Sequence, residues 1–326
     1  MQNSLEQLNL RRAKLNYQPP AENTILTIQE QSIGNTQSFV CFQGLPKAGK
    51  SLFVTTTIAS AFHTNGLFGI KLQPIPDRPK IAFFDTESSE SDFYKIISRI
   101  NYQVGSKQLP YNIDMYLCRE DPHYEIINMI NAYLDNNKDC SVLIIDGIAD
   151  LLSNFNDVVE SNVIIQWLKK ISKIHNLLVI CVLHLTKKDK MSLGHLGSFM
   201  DRKAQSVLIC EKKDDMLVLN AGYLRSSTGI KAIELKNTDG VWYQNNANVV
   251  TNNADVYGID KIRLLNNVFR ISRTYNDMIN DISEQIGKST TTVKKLVKDW
   301  ITSGDIIKID GLYNLKNKNN ETNQYF

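Results

Sequence analysis

The chain has 326 residues, 42% of them hydrophobic and 22% charged, a balance that excludes disorder or low complexity for most of its length. Lys and Arg number 37 against 34 Asp and Glu, a net charge of +3, so no global field advertises nucleic acid and any basic surface must be local. Five widely spaced cysteines with no Cys-x-x-Cys pair speak against a zinc site or a disulfide framework and suit buried thiols of a reducing compartment. The polar stretch Met1 to Arg12 lacks the apolar core of a signal peptide. No run reaches the eighteen or so apolar residues of a membrane helix, so the expectation is a soluble, cytoplasmic protein with no membrane partner.

Residues 1–36 read as a polar N-terminal arm, in which Leu5, Leu8 and Leu15 allow a short amphipathic helix before Pro19-Pro20. Residues 37–243 form one domain by pattern. Apolar runs at 38–42, 80–84, 141–145 and 177–183 read as strands buried on both faces, with helices at about 50–63, 91–100 and 158–175 after the first three. That alternation predicts an α/β domain with a mostly parallel sheet flanked by helices. A fifth strand at 206–210 and shorter β segments at 216–219, 230–235 and 241–243 follow. Residues 244–255 hold five asparagines and read as a linker. A second domain occupies 256–316, and 317–326 is a polar tail.

Gly44-Leu45-Pro46-Lys47-Ala48-Gly49-Lys50-Ser51 fits G-x-x-x-x-G-K-[ST] at every fixed position, between an apolar strand and a helix that continues through Leu52. Glycines allow successive backbone N–H groups to point inward at phosphate, and the helix start adds its positive end. The pattern predicts binding of ATP or GTP, with Gly44, Pro46, Lys47, Ala48, Gly49, Lys50, Ser51 and Leu52 around the phosphates. Lys50 reaches the β and γ oxygens, and the Ser51 hydroxyl ligates Mg²⁺.

The strand at 141–145 runs into Asp146, placed to hold Mg²⁺ through water. Hydrolysis also needs a carboxylate to orient and deprotonate water. The position directly after Asp146 is Gly147, so that group must come from elsewhere. Glu87, at the carboxyl end of the 80–84 strand, is the candidate, with Asp85 as runner-up, because parallel strands end on one rim of the sheet.

A glutamate on the strand after the phosphate-loop helix, with none beside the metal aspartate, resembles the RecA-like core ATPases. The nearest resemblance is to hexameric plasmid replicative helicases of the RepA type and their mobile-element relatives, over about Ala21 to Tyr243. Its other marks are Asp146-Gly147-Ile148-Ala149-Asp150 with Asn156-Asp157, Val182-Leu183-His184-Leu185-Thr186-Lys187, Gly197-Ser198 and Tyr223-Leu224-Arg225-Ser226. The resemblance implies that His184 senses the γ-phosphate from a strand between those of the phosphate loop and Asp146. It implies that Arg225 is an arginine finger acting on a neighbouring subunit, with Arg202 and Lys231 as rivals. Relatives often carry a second His where this chain has Leu185.

In the C-terminal segment, Thr274 caps a helix to about Ile286, Gly287 ends it, and Ser289 caps a second helix. Val293, Leu296, Val297, Trp300 and Ile301 fall on one side of that helix, with Thr291, Lys294, Lys295 and Lys298 on the other. Asp310-Gly311 between two β runs signals a tight hairpin. This order predicts a winged helix-turn-helix, whose second helix enters the major groove of duplex DNA. The segment from Asp255 onward has 11 basic and 9 acidic residues, so Lys294, Lys295 and Lys298 suit phosphate contact better than base reading.

The leading expectation is a Mg²⁺-dependent ATPase and DNA helicase or remodeller, a homo-oligomeric ring with a hexamer favoured. Single-stranded DNA would run in its channel against Lys187, Lys188 and Lys190. The alternative is an ATP-switched DNA-binding regulator or recombination accessory without helicase activity. A metabolic kinase is disfavoured, since no acceptor-substrate lid is evident.

Overall fold

A computed structural model describes residues 23–186, 192–238, 241–244, 272–302, 304–309 and 311–315, with isolated positions between 4 and 12 and between 264 and 269. Its centre is a nine-stranded sheet. The strands are β3 (Ser38–Gly44), β5 (Lys80–Asp85), β6 (Ile113–Leu117), β7 (Cys140–Asp146), β8 (Leu178–His184), β9 (Ser206–Lys213), β10 (Met216–Leu224), β11 (Ile233–Thr238) and β12 (Val241–Gln244). Their order is β12-β11-β10-β9-β3-β8-β7-β5-β6, parallel from β9 through β6 and antiparallel from β9 to β12. The parallel block, flanked by helices, is the α/β core that the alternation of runs predicts.

Alternate residues of each strand feed two different cores, as a period of two requires. Phe42, Phe83, Ile144 and Ile180 face the layer formed by helices α1 (Lys50–Ser60) and α2 (Glu90–Val104). Cys41, Phe84, Ile145 and Cys181 face helices α3 (His123–Asn136), α4 (Val158–Ile174) and α5 (Gly194–Lys203). All five cysteines are buried and unpaired, as expected for thiols used as small hydrophobes. Among the described residues no helix is long and apolar enough to cross a membrane.

Residues 24–35, read from sequence as part of a polar arm, instead form a hairpin of β1 (Thr24–Ile28) and β2 (Gln31–Asn35), joined by β4 (Ile70–Leu72) in a three-stranded antiparallel sheet. Ile25, Leu26, Ile28 and Ile33 are fully buried in the α1/α2 core, so this hairpin is structural.

One polar knot closes the rim opposite the phosphate loop. The Arg78 guanidinium donates to the carbonyls of Lys138 (2.9 Å), Asn176 (3.0 Å), Cys140 (2.5 Å) and His175 (2.5 Å), tying together the segments that lead into β7 and β8. Hydrogen bonds from a charged donor contribute about 1.5–3 kcal/mol each, less where water can replace them. Arg78→Ala should therefore destabilise the fold by about 2–4 kcal/mol in urea unfolding; a change below about 0.5 kcal/mol would show that the knot is slack.

C-terminal to residue 244, helix α6 (Tyr275–Ile286) and helix α7 (Thr290–Thr302) pack with a hairpin of β13 (Ile306–Ile309) and β14 (Leu312–Leu315) around a separate core of Met278, Ile282, Val293, Leu296, Val297 and Trp300. Thr274 and Ser289 accept the backbone N–H of Asp277 and Thr292 (both 3.3 Å), and Gly287 takes the left-handed conformation that ends α6. Ile301, expected on the apolar side, is 37% exposed beyond the edge of that stripe. The asparagine-rich linker from 245 onward, Asp310 and the polar tail lie outside the described residues.

Candidate functional site

β3, β8, β7 and β5 all end on one rim, which brings Gly44, His184, Asp146 and Asp85 to the same edge of the sheet. The loop 44–51 leaves β3 and opens α1. Gly49 has φ 87°, a backbone conformation that favours glycine, and a Cβ there would crowd the Leu217 side chain, with Cδ1 at 2.6 Å. Lys47 also sits at positive φ (65°). The first N–H groups of α1 have no carbonyl of their own helix to reach, which suits them to an anion.

Lys50 is 7% exposed and curls back along the loop. Its Nζ donates to the carbonyls of Gly44 (3.0 Å) and Leu45 (3.1 Å) and lies 2.9 Å from His184 Nδ1. His184 Nε2 in turn lies 2.9 Å from Glu87 Oε2. With Lys50 as the ammonium donor, Nδ1 accepts and the Nε2–H is left to face Glu87. The three side chains form a directed relay in which Lys50 donates to His184 and His184 donates to Glu87.

The electrostatics follow from this geometry. Burial lowers the Lys50 pKa against the pull of Glu87 and Asp146. For Glu87, burial acts upward, but the His184 hydrogen bond and the nearby Lys50 charge outweigh it, and the carboxyl is held below its ordinary value. Asp146, 6% exposed, is pushed up to about 8 by burial and then by the charges of Asp85 and Glu87. Asp150 is also raised, chiefly by burial. The rim thus carries more carboxylate than cation.

That excess is the chemistry a hard divalent cation relieves. One oxygen of Asp85, Oδ2, is buried without a hydrogen-bond partner beside Asp146, its cross-strand neighbour. Among the described residues no three His, Cys, Asp or Glu side chains converge into a stand-alone metal site. The donor set therefore fits Mg²⁺ carried with phosphate oxygens, using the Ser51 hydroxyl and Asp146, rather than an all-protein cage.

Gly147 explains why no carboxylate follows Asp146 directly. Its φ is 100°, and a Cβ there would lie 2.1 Å from Thr86 Oγ1 and 2.8 Å from Glu87 Cγ. The β5 end, carrying Glu87, occupies the space where a side chain at 147 would start. Thr86, which sequence reasoning passed over, holds that end in place. Its N–H donates to the Asp146 carbonyl (3.0 Å), and its hydroxyl is shared among the carbonyls of Asp146 (2.9 Å) and Gly147 (3.0 Å) and Asp150 Oδ2 (2.8 Å). Gly147→Ala should displace Glu87, lowering ATP turnover at least tenfold with nucleotide affinity retained and costing about 1–2 kcal/mol of stability from the left-handed φ alone. Normal turnover in that variant would show that the contact does not position Glu87.

Gln43, one residue before the loop, is also a surprise. It is 1% exposed and donates to Asp201 Oδ1 (2.8 Å), while Ser192 Oγ lies 2.9 Å from Gln43 Oε1 and 2.6 Å from Asp201 Oδ2. Ser192 follows the segment containing Lys187, Lys188 and Lys190, which lie outside the described residues.

Arg225 is not brought to this rim. It follows β10, whose Leu224 pairs with Ser206, while Cys210 is the β9 residue level with Gly44. Arg225 lies one residue further, level with Gln205, so five residues of strand, about 17 Å, separate it from the Gly44 level. The Arg225 guanidinium donates to the Arg202 carbonyl, and Arg202 stacks over Phe199 at 4.9 Å, so these two rivals are neighbours on the far edge. Lys231 is exposed near Gln29, to which its N–H donates (2.9 Å). On α7, Lys294, Lys295 and Lys298 are exposed and line, with Tyr275 and Ile301, an open groove of about 480 Å³.

A family model described as an AAA domain matches residues 21–190, more than half of the chain, and covers the phosphate loop, Glu87, Asp146 and His184. No curated protein matches the chain.

Proposed function

The chain belongs to the AAA domain family of P-loop ATPases, and from that premise we propose that it is a Mg²⁺-dependent ATP hydrolase acting on DNA as a ring-forming motor, with a hexamer favoured. The observation that carries the reading is the Lys50–His184–Glu87 relay at the mouth of the phosphate loop. Lys50 exchanges its carbonyl partners for β and γ oxygens when nucleotide enters. Ser51 and Asp146 would hold Mg²⁺, which would neutralise phosphate charge. Glu87 orients the attacking water and takes its proton. His184, hydrogen-bonded to both Lys50 and Glu87, registers whether Lys50 is committed to a terminal phosphate and adjusts Glu87 accordingly.

A finger role for Arg225 requires assembly. About 17 Å along the sheet from its own loop, it can neutralise transition-state charge only in another copy. The tie from Gln43 to Ser192 supports coupling between the nucleotide site and the basic segment 187–190, which we assign to single-stranded DNA. We assign the helix–helix–hairpin unit to a winged helix-turn-helix, with Lys294, Lys295 and Lys298 contacting duplex phosphates.

The decisive experiment measures phosphate release with and without single-stranded DNA, alongside native mass in the presence of an ATP analogue and Mg²⁺. The motor reading expects a ring and DNA-stimulated turnover. It also expects that replacing all three α7 lysines with Ala lowers duplex affinity and flattens its log–log salt dependence by about 3. Unstimulated turnover by a monomer that still binds duplex DNA would favour the ATP-switched regulator instead.

A further inference from the structure

Asp85, the sequence-level runner-up for the catalytic base, has a different place in this site. It is fully buried at the end of β5, paired in register with Asp146. Its Oδ1 accepts the backbone N–H groups of Glu87 (3.0 Å) and Ser88 (2.8 Å), closing the turn that presents Glu87. This oxygen is spent on backbone and cannot reach an attacking water. The other oxygen, Oδ2, is buried and accepts nothing from the protein.

A bare, buried carboxylate oxygen is costly, more so when the group is charged. The surroundings add to that cost, because Asp146, Glu87 and Asp150 share the rim. Lys50, the ammonium nearest to them, is already engaged by two carbonyls and His184. Mg²⁺ dehydrates reluctantly and keeps several waters, and buried acceptors beyond its direct ligands fix those waters.

We propose that Asp85 is a positioning residue with a divided carboxylate: Oδ1 holds the Glu87 turn, and Oδ2 accepts a hydrogen bond from a water bound to the nucleotide's Mg²⁺. One side chain then sets the base and the metal shell relative to each other. The inference rests on the ATPase reading above and deepens it.

The test uses the full-length protein, a non-hydrolysable ATP analogue, and Mn²⁺ as a spectroscopic substitute for Mg²⁺. Asp85→Asn keeps one oxygen for the two backbone N–H groups and replaces the bare oxygen with NH₂. The variant should keep the wild-type melting temperature or exceed it and bind the analogue normally in EDTA. Its Mn²⁺ affinity in the analogue complex, read by electron paramagnetic resonance, should fall about 10–100-fold, with kcat falling more than KM rises. Asp85→Ala should lose stability as well. Wild-type Mn²⁺ affinity in Asp85→Asn would overturn the proposal. Should Asp85→Asn not fold, the wild-type crystal with Mn²⁺ and analogue decides: a metal-bound water about 2.5–3.0 Å from Oδ2 supports it, and a protein donor there refutes it. Failure of the wild type to bind the analogue at all would instead sink the ATPase reading itself.

Discussion

Glu87→Gln should bind ATP with unchanged affinity and hydrolyse it about 10²–10⁴-fold more slowly, the range expected when a general base is removed. The amide is isosteric, and its oxygen can still accept the His184 Nε2–H, so the relay and the turn persist while the proton acceptor is gone. Stability should hardly change, because Glu87 is only partly buried. The variant should trap ATP, which single-turnover quenching and a nucleotide-retention assay measure directly. Turnover within tenfold of wild type would remove Glu87 from the base role. Asp85 could not replace it, since Oδ1 is committed to the backbone and Oδ2 is enclosed.

Lys50→Ala should have the larger effect on binding. Two charge-assisted hydrogen bonds to phosphate amount to about 3–6 kcal/mol, two to four powers of ten in affinity. The fold should survive, because burial already disfavours the Lys50 charge and Ala removes that burden together with the two carbonyl contacts. A melting temperature within a few degrees of wild type, combined with lost ATP binding by calorimetry, is the expected pair of results. Retained affinity would mean that nucleotide does not occupy the 44–51 loop.

The parts of this site that are local in sequence were legible, and the parts that depend on register were not. The 44–51 loop announces itself through fixed spacing between a strand and a helix, and the apolar strands before Asp146, Asp85 and His184 place all three on one rim. The contact between His184 and Glu87 spans 97 residues and depends on the relative register of strands β8 and β5, which no local pattern encodes. Thr86 and Gln43 act through buried hydrogen bonds, and neither residue type carries a signal outside its fold. The 24–35 hairpin escaped notice because Gln29 and Glu30 adopt positive φ without the Gly, Asn or Pro that usually marks such a turn. Strand β6 and helix α3 were also missed. The strand is short, lies at the sheet edge and exposes Tyr116 and Leu117, so its apolar pattern is weak.

The most direct measurement is a crystal structure with Mg²⁺ and a non-hydrolysable ATP analogue. The account predicts that the triphosphate lies along the N–H groups of residues 47–51. Lys50 Nζ should have left the Gly44 and Leu45 carbonyls for phosphate oxygens, and Glu87 should face the terminal phosphorus across one water. A nucleotide bound elsewhere, or a Lys50 still folded onto its own loop with phosphate present, would contradict it.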